Sequence, residues 1–203
     1  MAVLSILMMI LLQATSASLN IWRRSENKIT VTKEARATTL LMAQDLQNIA
    51  VPLDTNLWPK ARSQSLVFLV SRPPGYQSAS ASTNAGDICF VEYRVTYQQD
   101  RSFIERGEVE STLTLRTLTN LPPRFPTPTT YQMLATNVFS IEMRLLNASG
   151  TTNIPAGEPP TFVEVAFSVA PSQDAYKALW AGQSSNQLQI EKVLLRSPLP
   201  KPR

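Results

Sequence analysis

Apolar and polar positions follow two different periods along this chain, and the change falls at Pro52. Ala2–Leu12 (AVLSILMMILL) is almost wholly apolar, and the first charged side chain is Arg23. Further on, small or apolar residues recur at Ala35, Thr39, Met42, Leu46 and Ile49, with spacings of four, three, four and three. That is the stripe of a helix that packs by one face, with Gln44, Asp45 and Gln47 off it. All 21 glycines and prolines lie from Pro52 onward, so nothing interrupts a helix before that point. A rod over this stretch would reach about 75 Å at 1.5 Å per residue. It must end by Val51, because a proline disfavours helical geometry in the residue before it.

Beyond Pro52 the period falls to two. Five segments predict strands: Ser65–Ser71, Asp87–Gln99, Glu110–Leu118, Val138–Leu146 and Thr161–Ala170. In the second, Cys89, Val91, Tyr93, Val95 and Tyr97 share one face; in the fourth, Phe139, Ile141, Met143 and Leu145 do. One apolar face per strand suits an antiparallel sheet covered on one side. The predicted fold is α+β: one long N-terminal helix, apolar then amphipathic, packed on one mainly antiparallel sheet. Arg72–Gly86 and Asn147–Pro160 read as polar loops, and Asn120–Thr130, with four prolines, as an extended segment. Pro171 opens a short helix through Ala181, with Ala175, Leu179 and Trp180 available to pack. The division is then an apolar helix segment at 1–22, an amphipathic one at 23–51, a sheet domain at 52–195, and a disordered Pro/basic tail at Arg196–Arg203.

Composition narrows the chemistry. The net charge of +4 is modest and no basic run interleaves with aromatics, which gives nucleic-acid binding little support. Arg23, Arg24, Lys28, Lys33 and Arg36 outnumber Glu26 and Glu34 on the helix, and a solvated face accounts for them better than anionic lipid or an acidic partner. Cys89 is the single cysteine and reads as a small buried hydrophobe. There is no histidine, which removes the commonest metal ligand and general base. No phosphate-binding, nucleophile-elbow, CxxC or HExxH motif is present. The acids Asp87, Glu92, Asp100, Glu105, Glu108 and Glu110 are scattered. The last three fall in an expected hairpin turn (SFIERGEVE) that lacks the spacing of a calcium loop. Asn147-Ala148-Ser149 reads as a polar turn. We expect no enzyme, no cofactor, no metal site and no small-molecule substrate.

The apolar start has two readings. Ala2–Leu12 is about 16 Å of helix, against the 30 Å or so of a bilayer core. Extension through Trp22 gives an uncharged 21-residue span whose second half is rich in Ser, Thr, Asn and Gln, a weak transmembrane helix by itself. A signal peptide competes, with a poor cleavage site at Thr15-Ser16-Ala17 and a mature start at Ser18, but it lacks a basic n-region and the helical pattern runs on past the site.

An apolar helix that continues as an amphipathic one into a sheet domain resembles the type IV pilin and type II secretion pseudopilin superfamily of bacteria. VLSILMMILLQATSASLNIWRR is similar to the later part of a pilin N-terminal helix. EARATTLLMAQDLQNIAVP resembles the helix of J-type minor pseudopilins, where a leucine-rich stretch carries an acidic residue. FVEYRVTYQQ, VFSIEMRLLN and PPTFVEVAFSVA are similar to strands of that group, and also of planctomycete and verrucomicrobial prepilin-like cassette proteins. The order of these motifs, from Val3 to about Leu179, carries the resemblance. The basic leader, cleavage-site glycine and Phe-Thr-Leu-Ile-Glu hallmark are missing, so no residue here is assigned to leader cleavage or to the glutamate–amine pair. The expectation is that about ten more apolar residues precede Met1 and complete the span. Arg23 and Arg24 would favour a cytoplasmic C-terminal side, opposite to the family's orientation.

The resemblance implies a structural subunit of a type II secretion or type IV pilus-like assembly. Its partners would be other pilin-like subunits and the inner membrane. Val3, Leu4, Ile6, Leu7, Ile10 and Leu11 would form the membrane and assembly helix, while Ala35, Thr39, Met42, Leu46 and Ile49 would pack on the sheet. The β-domain would sit in the periplasm or in an extracytoplasmic filament. The alternative is a secreted or periplasmic β-rich binding protein released by signal cleavage.

Overall fold

A computed structural model of the chain describes residues 2–62, 64–72, 88–98, 101–109, 111–119, 125–182 and 191–201. Helix α1 runs unbroken over Ala2–Gln47. It stops short of Val51, because Ile49–Ala50 (β1) turns away to pair antiparallel with the strand Ser65–Ser71. That larger sheet also holds β2 (Lys60–Arg62), β3 (Ser65–Ser71), β4 (Ile88–Tyr97), β5 (Ser102–Val109) and β6 (Tyr131–Thr136). Its order is β1-β3-β4-β5-β6, with β2 beside β1 on the same edge of β3, and every pairing is antiparallel. A second sheet holds β7 (Val138–Leu146), β8 (Phe162–Val169) and β9 (Glu191–Pro198) in that order.

The expected α+β arrangement, a long N-terminal helix on antiparallel strands, is therefore the one observed, with two sheets in place of one. The sheets part at Asn137, which adopts the left-handed conformation (φ 57°) between β6 and β7. Asparagine tolerates that geometry better than most residues. Ser102 Oγ donates to the Val138 carbonyl across the joint. Both sheets turn an apolar face to one core, formed by Val31, Ala35, Met42 and Leu46 of α1 with Phe68, Val91, Tyr93, Ile104, Val163, Val165 and Phe167 among others. Phe139 leaves the expected face of β7, since an irregularity between Val138 and Ser140 turns it toward a satellite cluster. That cluster contains Ala175, Tyr176 and Leu179 of α3 (Gln173–Trp180). Trp180 stays more than half exposed beside the Tyr97 and Tyr176 rings.

Several expectations change for identifiable reasons. Residues 111–118 form a helix, α2 (Ser111–Leu118), where a strand was expected over Glu110–Leu118. The Thr/Leu alternation fits either period. Burial of Thr114 selects the helix: its hydroxyl donates to the Val109 carbonyl and accepts from the Phe90 N–H. The larger sheet is covered on both faces, because Leu57, Leu69, Phe90 and Val109 form a second cluster with Leu118 and Phe125. Pro128 lies across Gly107, where any Cβ would come within 2.6 Å of the proline ring. The glycine thus lets the proline-rich segment lie flat on β5. Ser102–Val109 (SFIERGEV), expected as a hairpin turn, is strand β5. Arg196–Pro198 completes β9 and Leu199 donates its N–H to Thr161, so the tail is ordered at least that far. The expected loops at 73–86 and 120–124 lie outside the described residues.

Truncation of Met42 to alanine should cost about 2–5 kcal/mol, since a buried long side chain leaves a cavity between helix and sheet. Leu40→Ala, at a side chain 71% exposed, should stay within about 0.5 kcal/mol. Urea denaturation of the purified protein compares the two.

Candidate assembly helix and the charged cluster at its base

Every described side chain of α1 from Leu4 to Thr30 is exposed, and Val31 is the first buried one. Leu4, Ile6, Leu7, Ile10 and Leu11 are each more than half exposed. The side chain of Val3, expected to join them, lies outside the described residues. Leucine, isoleucine and methionine on all sides of a helix form a surface that water disfavours, by about 25 cal/mol per Å² of apolar area. This is one helix long and apolar enough to cross a membrane by length and composition. Two of the hydroxyls in its more polar second half are satisfied internally: Thr15 donates to the Leu12 carbonyl (3.0 Å) and Ser16 to that of Gln13 (2.9 Å). Such back-bonding lowers the cost of placing them in hydrocarbon. Trp22, then Arg23 and Arg24, mark the polar end of the run.

The other half of α1 belongs to the domain. Ala35, Met42, Leu46 and Ile49 are buried in the main core, the last from β1 and no longer from the helix. Thr39 is half-buried and donates its hydroxyl to the Ala35 carbonyl. Glu34 accepts from the N–H and hydroxyl of Thr136 at 3.2 and 3.0 Å, tying the helix to the free edge of β6.

At the helix end stands a cluster that corrects the placing of Asp45 off the packed stripe. Asp45 is fully buried. Arg72 Nη1 donates to its Oδ1 at 2.9 Å, and Arg106 Nε to its Oδ2 at 2.8 Å. The Tyr93 hydroxyl donates to the same Oδ2 at 2.7 Å. Glu108 closes the group, 3.2 Å from Arg72 and 2.7 Å from Arg106. Strand register explains the meeting: Tyr93 faces Arg106 and Val91 faces Glu108 across β4 and β5. Two acids and two guanidiniums balance, which is what permits this charge in a core. Burial raises the Tyr93 phenol and the Asp45 carboxylate raises it further, so it stays protonated as a donor. Burial opposes the charge on Arg106, but Asp45 outweighs it and holds the guanidinium charged. The Cys89 thiol is pushed up to about 11, by burial first and then by Glu108.

Spacing could have revealed Asp45. Val31, Ala35, Thr38, Met42 and Asp45 recur at four, three, four and three, and all are buried. The apolar stripe shares Ala35 and Met42 with this series but takes Thr39 and Leu46 in place of Thr38 and Asp45, because an acid is not a core residue by type. Arg72, expected to open a polar loop, is missed for the same reason. The acids of the expected hairpin turn do not converge: Glu105 binds Arg94 and Thr96 on the outer face, while Glu108 points inward. Glu110, Asp87 and Asp100 lie outside the described residues. Among the described residues no group of acids or cysteine is placed to hold a metal ion. The polar turn at Asn147–Ser149 is formed, with Asn147 bonded to Thr151, Ser149 and Asn153.

Compared with protein-family models and with curated proteins, the sequence gives no match.

Asp45→Asn should cost about 3–5 kcal/mol, because two guanidiniums stay buried with a single carboxylate between them. Asp45→Glu, which keeps the charge but lengthens the arm, should recover part of the loss; thermal melting ranks the three. The thiol makes a separate prediction. A folded pKa of about 11 against an ordinary 9.0 means the native state keeps a proton that the unfolded chain releases. Stability should therefore fall as pH rises from 9 to 11, and Cys89→Ala should flatten that slope. At pH 8 a thiol reagent should modify Cys89 only after denaturation.

Proposed function

We propose that this chain is a pilin-like structural subunit, held in the bacterial inner membrane by α1 and assembled through it with other pilin-like subunits. One observation carries the reading: a single helix serves as core for the domain along Val31–Leu46 and is left uncovered along Leu4–Thr30. A domain needs only the first part. The uncovered part spans about 40 Å at 1.5 Å per residue, enough to cross a bilayer core or to line a helical bundle. Because no break separates the halves, a force or orientation imposed on the apolar end passes directly to the sheets.

In this reading the apolar segment stores the subunit in the membrane and later packs against equivalent helices in a filament. Leu4, Ile6, Leu7, Ile10 and Leu11, with Val3, supply that contact. The two sheets and their loops face outward into the periplasm or on the filament surface, where they set partner choice. The role is structural, with no bond made or broken.

Leu7→Asp or Ile10→Asp tests the anchor. An aspartate near a helix centre costs about 2.5–3.5 kcal/mol on insertion, so either variant should lower membrane retention by about a hundredfold. The cooperative melt of the sheet domain should be unchanged, because neither side chain touches it. A variant that stays with the membrane fraction would refute the anchor. A mature chain that starts near Ser18 by intact mass would make it a soluble exported protein.

A further inference from the structure

The side of α1 that faces the domain does not end at Val31. The same helical face continues toward the N-terminus as Asn27 or Lys28, Arg24 and Asn20, and there no strand among the described residues covers it. Instead the start of α3 overhangs it. Between them lies a groove of about 1010 Å³, lined by Asn20, Arg23, Arg24 and Lys28 on α1 and by Ser172 and Asp174 on α3. Among the described residues that line it, three cations face one carboxylate, and Lys28 makes a further interaction of its own. Among the described residues neither Arg23 nor Arg24 has an ion-pair partner. Arg23 is also the first charge after the uncharged run, so the groove opens where that run ends.

We infer that this groove seats the phosphate headgroup of an anionic phospholipid. The inference rests on the membrane reading above, and charge and depth together select the occupant. With Ala2–Trp22 in hydrocarbon, Arg23–Lys28 spans about 8 Å of axis, comparable to the headgroup layer on one side of a bilayer. Basic side chains at that level attract anionic headgroups. Guanidiniums match phosphate oxygens by paired N–H donation. Asp174, on the α3 side of the groove, would disfavour a second anion, which suits a single headgroup. A lipid held there would brace the overhanging α3 end against the helix and set the tilt of the sheets over the membrane.

The experiment uses the full chain in vesicles of phosphatidylcholine with and without phosphatidylglycerol, followed by mild detergent extraction and native mass spectrometry of retained lipid. Flotation with both vesicle types reports the anchor. Selective retention of phosphatidylglycerol reports the groove. Arg24→Gln/Lys28→Gln should lower that retention by about thirtyfold. Lys33→Gln/Arg36→Gln removes the same charge from exposed sites outside the groove and should change it less than twofold. Inorganic phosphate at millimolar concentration should not displace the lipid. Flotation with equal retention of both lipids, or equal loss in the two double variants, would overturn the inference and leave the anchor standing. Displacement by inorganic phosphate, or by an acidic segment of a second copy seen as a retained dimer, would also overturn it. Failure to float would remove the membrane reading itself.

Discussion

Asp45 holds this architecture in one register. Its carboxylate is satisfied only when the last turn of α1 lies between Arg72 after β3 and Arg106 on β5, under the Tyr93 hydroxyl. A slide of one helical turn along the sheet would bury the Asp45 carboxylate without its partners and leave the two guanidiniums to share Glu108 alone, at a cost of several kcal/mol. Apolar stripes tolerate such slides, since one leucine fits another's place with modest loss. A buried ion group adds little net stability compared with a hydrophobic replacement, but it discriminates sharply between registers. The position of the whole helix, including the apolar half that extends beyond the domain, follows from that discrimination.

The same constraint links fold to use. The sheets meet at Asn137 and share a core with α1, so the docked half of the helix cannot leave without opening that core. Glu34 on the β6 edge and Asp45 at the helix end fasten it at two levels. In the proposed pilin-like role, a subunit that transmits position through one helix would need this rigidity at the base and chemical indifference above it. The exposed apolar half, whose Thr15 and Ser16 hydroxyls turn inward to their own backbone, has that indifference.

Much of this was legible in the residues. The strand at Ser65–Ser71 and that at Val138–Leu146 have the expected limits, because a continuous or alternating apolar run leaves no other way to bury it. The helix was legible from the absence of glycine and proline before Pro52. What escaped was set by contacts distant in sequence. Thr114 makes 111–118 a helix only because Phe90 offers an N–H to it. β9 pairs with β8 although its alternation, EKVLLRSP, is short and ends in proline. The charged cluster brings together residues 45, 72, 93, 106 and 108, and none of them carries a local sign of its partners. One-sided burial predicted a single sheet, whereas the left-handed Asn137 divides the strands between two.

The most direct measurement is accessibility along α1 in the native membrane. Single cysteines placed at each position from Ile6 to Lys28 would be labelled with a membrane-impermeant maleimide; buried Cys89 stays silent as the internal reference. The account predicts protection from Ile6 to about Ile21 and labelling from Asn27 onward, from the face of the membrane that bears the sheets. Uniform labelling along the helix, or loss of the segment before Ser18 from the mature chain, would contradict it.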